Sequence, residues 1–177
     1  MKYFIGYLIQ GEAADWHAQK AKEISAKFNT WKIYEKIPPH ITLYRPFDLE
    51  NIQPVLDVLQ TWSNHQSSGS SFLMSDFDRF DDRVVFVKIE TNQAIQKMVV
   101  NLKRELKLIP NIPAEDYPNW HPHATLAERV TTEEIEKIWN HVSTLDKPKF
   151  SLPFDNMTLF SNAGDRVWKI EKVFDFK

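Results

Sequence analysis

Apolar and polar residues change period along this chain, and the changes mark its elements. Tyr3 to Ile9 is a nearly continuous apolar run that reads as a first buried strand. Glu12 and Asp15 cut it off too early for a signal peptide, and no stretch is long and apolar enough to span a membrane. From Ala13 to Phe28 the period becomes helical, with Trp16, Ala21, Ile24 and Phe28 on one side and Lys20, Lys22, Glu23 and Lys27 on others. His17 is expected on the solvent face of that helix. After Pro38-Pro39 a short strand pattern begins at His40. A helix then runs from about Leu49 to Ser63, with Asp48 as its cap and Ile52, Val55, Leu56, Leu59 and Trp62 as its apolar stripe. The polar segment Ser63 to Ser71 reads as a loop. Phe72 to Phe80 and Val84 to Glu90 read as strands joined around Asp81-Asp82. Asn92 can cap a helix whose stripe is Ile95, Met98, Val99, Leu102 and Leu106, and whose basic side is a solvated face. A second short strand starts at His123, and Thr131 with Glu134 forms a capping box for the next helix. Phe150 to Phe160 and Val167 to Phe176 close the chain as strands.

Half of this pattern is the other half written again. Pro39-His40-Ile41-Thr42-Leu43 returns 83 residues later as Pro122-His123-Ala124-Thr125-Leu126. The same offset gives thirteen identities over 46 ungapped positions, 39–84 against 122–167, where typical residue usage gives about three. Phe77 falls on Phe160, and Asp82-Arg83-Val84 on Asp165-Arg166-Val167. The helix stripe maps onto Ile135, Ile138, Trp139, Val142 and Leu145, and Phe47/Ile52 and Val130/Ile135 occupy the two ends of a hydrophobic staple in both copies. These observations predict one α+β domain built from two pseudo-symmetric halves, about 1–82 and 83–177. A twofold relation would bring the two His-x-Thr strands to one place.

Composition narrows the function. The 177 residues can bury a substantial core. A net charge of −2 argues against broad binding to duplex nucleic acid, while a nucleotide or an RNA end stays compatible. With no cysteine there is neither a disulfide nor a thiolate metal site, which fits a reducing compartment and a cytoplasmic location.

On a strand, residues two apart share a face, so His40 and Thr42 project together, as do His123 and Thr125, while Ile41, Leu43, Ala124 and Leu126 turn to the core. Phosphodiester cleavage needs a base for the attacking oxygen and an acid for the leaving oxygen, and two imidazoles in opposite protonation states supply both. The two threonine hydroxyls can donate to the non-bridging oxygens. Such a site calls for no metal and no cofactor. His121 and His123 could form a metal pair, but two ligands are insufficient and no further cluster completes them. The candidate base-stacking residues are Tyr44, by parity with the motif, Tyr117 and Trp120, in the loop entering the second motif, and the duplicated Phe77 and Phe160.

The paired Pro-His-x-Thr-Leu segments resemble those of the 2H phosphoesterases, and the bacterial 2′-5′ RNA ligase and cyclic phosphodiesterase branch looks most similar. The resemblance spans nearly the whole chain. It implies two ferredoxin-like lobes whose antiparallel sheets face a central cleft holding His40, Thr42, His123 and Thr125. It further implies opening of a 2′,3′-cyclic phosphate to a 2′-phosphate, one histidine activating water and the other protonating the departing ribose 3′-oxygen, with 2′-5′ joining of RNA ends as the reverse. The Pro-rich, acidic and aromatic loop before His123 favours His123 as base and His40 as acid. A non-catalytic nucleotide- or RNA-binding module of the same fold is the alternative.

Overall fold

The computed structural model describes residues 1–80, 83–114 and 120–177. Two four-stranded antiparallel sheets and four α-helices form an α+β fold among these residues. The first sheet has the order β2-β1-β7-β8, with β1 at Lys2–Leu8, β2 at His40–Asp48, β7 at Asn156–Asn162 and β8 at Lys169–Asp175. The second has the order β5-β4-β3-β6, with β3 at Ser71–Phe80, β4 at Val84–Glu90, β5 at His123–Glu128 and β6 at Phe150–Pro153. Helix α1 spans Gly11–Phe28, α2 Gln53–Ser63, α3 Gln93–Lys107 and α4 Thr132–Val142.

The sheets have the same strand plan, β2 standing where β5 stands and β1 where β4 stands. Their contents nevertheless cut across the midpoint of the sequence: β3 joins the second sheet and β7 the first, so the last strand of each repeat pairs into the other repeat's sheet. Both motif strands lie at a sheet edge and pack against each other. An edge strand leaves one row of backbone groups without a ladder partner, which makes those groups available for building a site.

Several local signals behave as their chemistry requires. Asn92 accepts from the Ile95 N–H at 2.9 Å, and Thr131 with Glu134 forms the expected capping box. The start of α2 differs. Asp48 pairs with Lys2 in the β1–β2 ladder and so closes β2; α2 begins later, behind Ile52, with Pro54 in its first turn and the Asn51 side chain accepting from the Gln53 N–H at 3.1 Å. Proline suits that turn because its missing N–H has no intrahelical acceptor there. The Phe150 to Phe160 run is two strands, because the chain leaves one sheet at Pro153 and enters the other at Asn156. Phe154 in between is buried and anchored by its N–H to the Ser70 carbonyl at 2.8 Å. One apolar core joins the two sheets and the helices, and a smaller cluster of Phe4, Leu8 and Phe160 lies beside it.

Candidate active site

Each motif strand begins with its histidine and alternates as expected. Ile41, Leu43, Ala124 and Leu126 are buried, while His40, Thr42, His123 and Thr125 are half-buried. One residue beyond each threonine the register slips: Ile5 pairs with Tyr44 but Gly6 with Thr42, and Val85 pairs with Ala127 but Phe86 with Thr125. Leu43 and Leu126 are therefore the extra residues of matched bulges, and a bulge reverses the face presented by the residues beyond it. Tyr44 lies on the wrong side for substrate contact for this reason. It is 0 % exposed, packs near Phe47, and its hydroxyl donates to the Pro113 carbonyl at 2.7 Å.

The two histidines are held alike. His40 Nδ1 lies 2.9 Å from the Pro38 carbonyl and His123 Nδ1 2.8 Å from the His121 carbonyl. A carbonyl can only accept, so Nδ1 carries the proton in both rings. The neutral imidazole then presents its lone pair at Nε2, which bonds no described residue in either case. Behind each ring stands a pair of phenylalanines. His40 has Phe4 and Phe160 with centroids at 4.9 and 5.5 Å, and those two rings stack at 4.4 Å. His123 has Phe80 and Phe86 at 4.8 and 5.1 Å, themselves 4.3 Å apart. Strand register makes Phe80, not Phe77, the counterpart of Phe160, since Phe160 pairs with Phe4 on β1 and Phe80 with Val84 on β4.

Phe160, fully buried, therefore supports a histidine instead of meeting a base. Phe77 is 7 % exposed and faces Trp16 in the core. The constant offset makes both of them stacking candidates, but that offset does not carry over to strand register in the last strand of the repeats. Trp120 does reach the site: its indole N–H donates to the Thr42 carbonyl at 2.9 Å, tying the entrance of the second motif to the first. Tyr117 lies outside the described residues. Gly6, opposite Thr42, is required by the close approach, since a Cβ there would stand 3.1 Å from the Ile41 carbonyl oxygen and 3.2 Å from the Phe4 and Phe160 rings.

His17 departs most from expectation. Its ring is 5 % exposed and sits between the motifs, facing the Ala124 and Thr125 backbone and close enough to His40 to act on its charge. The α1 stripe that packs inward is Ala13, His17, Ala21, Ile24 and Ser25. In the sequence, only the i, i+4 spacing of His17 with Ala13 and Ala21 could have signalled this.

Burial lowers both motif histidines, though unequally. His40 falls to about 4, chiefly from desolvation and further from the nearby His17 and His123, with the Pro38 carbonyl opposing. His123 is lowered by burial and by His121, with the His121 carbonyl opposing. Burial thus keeps His40 in its neutral form at neutral pH, the form a general base needs, whereas the loops favoured it as the acid. Among the described residues no group of three or more His, Cys, Asp or Glu side chains is placed to hold a metal ion, and no helix is long and apolar enough to cross a membrane.

A family model of the 2′-5′ RNA ligase superfamily matches residues 11–166. A Bacillus pumilus (strain SAFR-032) protein named "Putative phosphoesterase" is 27 % identical over 147 residues, covering 80 % of this chain and 81 % of its own. Among solved structures, TT0787 of Thermus thermophilus aligns over 99 % of this chain and 98 % of its own with a TM-score of 0.67 at 17 % identity. Escherichia coli LigT complexed with 3′-AMP aligns over 99 % and 98 % with a TM-score of 0.63 at 12 % identity. At these identities the structural likenesses establish the fold, and the described sheets agree with it.

Proposed function

The chain belongs to the 2′-5′ RNA ligase superfamily, and from that premise we propose that it is a phosphoesterase that opens a 2′,3′-cyclic phosphate, or a 2′-5′ phosphodiester, at a nucleotide or RNA end. The observation that supports the reading is the matched Nδ1-to-carbonyl bond of His40 and His123, which leaves the Nε2 atom of each ring available for proton transfer. His40, the less basic ring, takes the proton of the attacking water. The water oxygen bonds to phosphorus, the P–O bond to the ribose 3′-oxygen breaks, and His123, which acts in its imidazolium form with both ring nitrogens protonated, delivers its Nε2 proton to that oxygen. The product keeps a 2′-phosphate. Thr42 and Thr125 donate to the non-bridging oxygens, whose charge grows in the transition state. With a ribose 5′-hydroxyl in place of water as the attacking group, the same pair joins RNA ends through a 2′-5′ bond. The nucleotide in the LigT complex is compatible with such a substrate.

The purified protein is assayed against 2′,3′-cyclic nucleotides, cyclic-phosphate-ended RNA and 2′-5′ dinucleotides, with and without EDTA. At least one class should turn over, the activity should persist in EDTA, and His40→Ala or His123→Ala should each lower it by about 10² to 10⁴-fold. Near wild-type turnover in both variants would sink the two-histidine assignment, and rescue of a chelated enzyme by a divalent ion would replace it with metal-assisted chemistry.

A further inference from the structure

His17 is a buried polar side chain that the chemistry above does not use. Neither ring nitrogen has a hydrogen-bond partner at bonding geometry, although the ring is almost wholly enclosed. A buried donor left unpaired is costly, so the groups it faces are informative. They are the Ala124 and Thr125 backbone of β5, a strand at a sheet edge. His17, Tyr34, Pro38, His40 and Thr125 line one narrow pocket, so the ring touches the neighbourhood of both motifs. The first motif has a comparable arrangement, since the carbonyl of Thr42, also on an edge strand, accepts the Trp120 indole N–H. Burial lowers the His17 imidazolium to about 4, so at neutral pH it holds a single N–H to offer.

We infer that His17 is a positioning residue for the second motif: its ring N–H donates to the β5 edge at Ala124–Thr125 and holds Thr125 and His40 at a fixed spacing across one phosphate. Trp120 does the corresponding work at Thr42. The inference rests on the phosphate-transfer reading of the two motifs, and its test is built to fail separately.

The full chain is compared with His17→Phe, which keeps a ring without a donor, and with His17→Gln, which keeps a donor. Nitrogen NMR of the wild type should show a slowly exchanging imidazole N–H that disappears in both variants. His17→Phe should lower kcat and the affinity for inorganic phosphate by about tenfold with little change in Tm, and His17→Gln should recover most of both. The inference is overturned by a wild-type spectrum without a protected His17 N–H, by a His17→Phe variant within about twofold of wild type in kcat and phosphate affinity, or by equal losses in Gln and Phe. If His17→Phe does not fold, a protected N–H together with near wild-type kcat in His17→Gln upholds it, and the absence of either overturns it. A wild type that turns over no cyclic phosphate would defeat the proposed function, while the spectrum and the phosphate affinities would still decide the role of His17.

Discussion

Assigning His40 as base and His123 as acid predicts a definite pH profile. The base must be neutral, so kcat/KM should rise with pH until it passes the His40 value of about 4 and then level off. The acid must be protonated, and His123 lies below the ordinary 6.5, so kcat/KM should fall again before neutrality is reached. At pH 7.5 no more than about a tenth of His123 holds its proton if its value lies below about 6.5, so kcat/KM there should be at most about a tenth of its plateau. Bound phosphate favours the charged form of both rings, and the kcat profile should therefore sit at higher pH than that of kcat/KM. Leaving-group chemistry separates the histidines. His123→Ala should lose about 10² to 10⁴-fold on a 2′,3′-cyclic nucleotide but far less on an aryl phosphodiester, whose phenolate departs without protonation, whereas His40→Ala should lose similarly on both. Steady-state rates of the three proteins on the two substrates decide it. Rescue of His40→Ala in place of His123→Ala would exchange the roles, and a kcat/KM optimum above pH 7.5 would refute the electrostatic argument.

Gly6→Ala places a methyl 3.1 Å from the Ile41 carbonyl oxygen, which is backbone and cannot swing aside; calorimetry should show a loss of about 1–3 kcal/mol, and kcat should fall as the Phe4–Phe160 platform shifts. Trp120→Phe keeps a ring but removes the donor to the Thr42 carbonyl, so it should cost about 1 kcal/mol in stability and lower kcat on base-free and nucleotide substrates alike. A penalty confined to nucleotides would instead mark Trp120 as a base contact. The folded-state value of His17, near 4, lies below the 6.5 of a free imidazole, so the unfolded chain takes up the proton first. Stability from this group is complete above about pH 6.5 and declines as the pH falls towards 4, by about 3 kcal/mol at about 1.4 kcal/mol per pH unit. Urea denaturation across that range should be less pH-dependent in His17→Gln, and equal slopes would contradict the burial argument.

The strands, the helices and the placement of His40, Thr42, His123 and Thr125 were legible because they depend on local period and on one exact repetition. What escaped depends on pairing between distant segments. The bulge at Leu43 is set by the β1 ladder, and nothing in His40-Ile41-Thr42-Leu43-Tyr44 reveals that alternation stops there. The exchange of β3 and β7 between sheets is likewise invisible to a repeat comparison, which aligns each strand with its copy and not with its neighbour. Phe4, Phe80 and Phe86 escape notice because their positions differ between the halves: Gly6 and Phe86 both stand opposite a motif threonine. His17 is misplaced by its pattern because a histidine among lysines and glutamates reads as solvated, when the inward stripe of α1 is made largely of small residues that leave room for a ring.

Identical motifs raise the question of why the halves have diverged around them. Two equivalent histidines facing one cleft would still titrate in separate steps, because the first proton repels the second. Half of the singly protonated molecules would then carry the proton on the wrong ring, a loss of about twofold in rate. That is too little to account for the differences in His17, Gly6 and the loop before His123. Substrate asymmetry is the stronger constraint. A ribose 2′,3′-cyclic phosphate has its leaving oxygen on one side, and a symmetric cleft would accept it in two orientations, each matched to only one proton arrangement. Placing His17 beside His40 while Trp120 ties the opposite loop to Thr42 makes the two ends of the cleft chemically distinct. Binding orientation and proton location are thereby fixed by the same neighbours, so exchanging the environments of the two histidines should reverse the preferred orientation of the nucleotide along with the roles of acid and base.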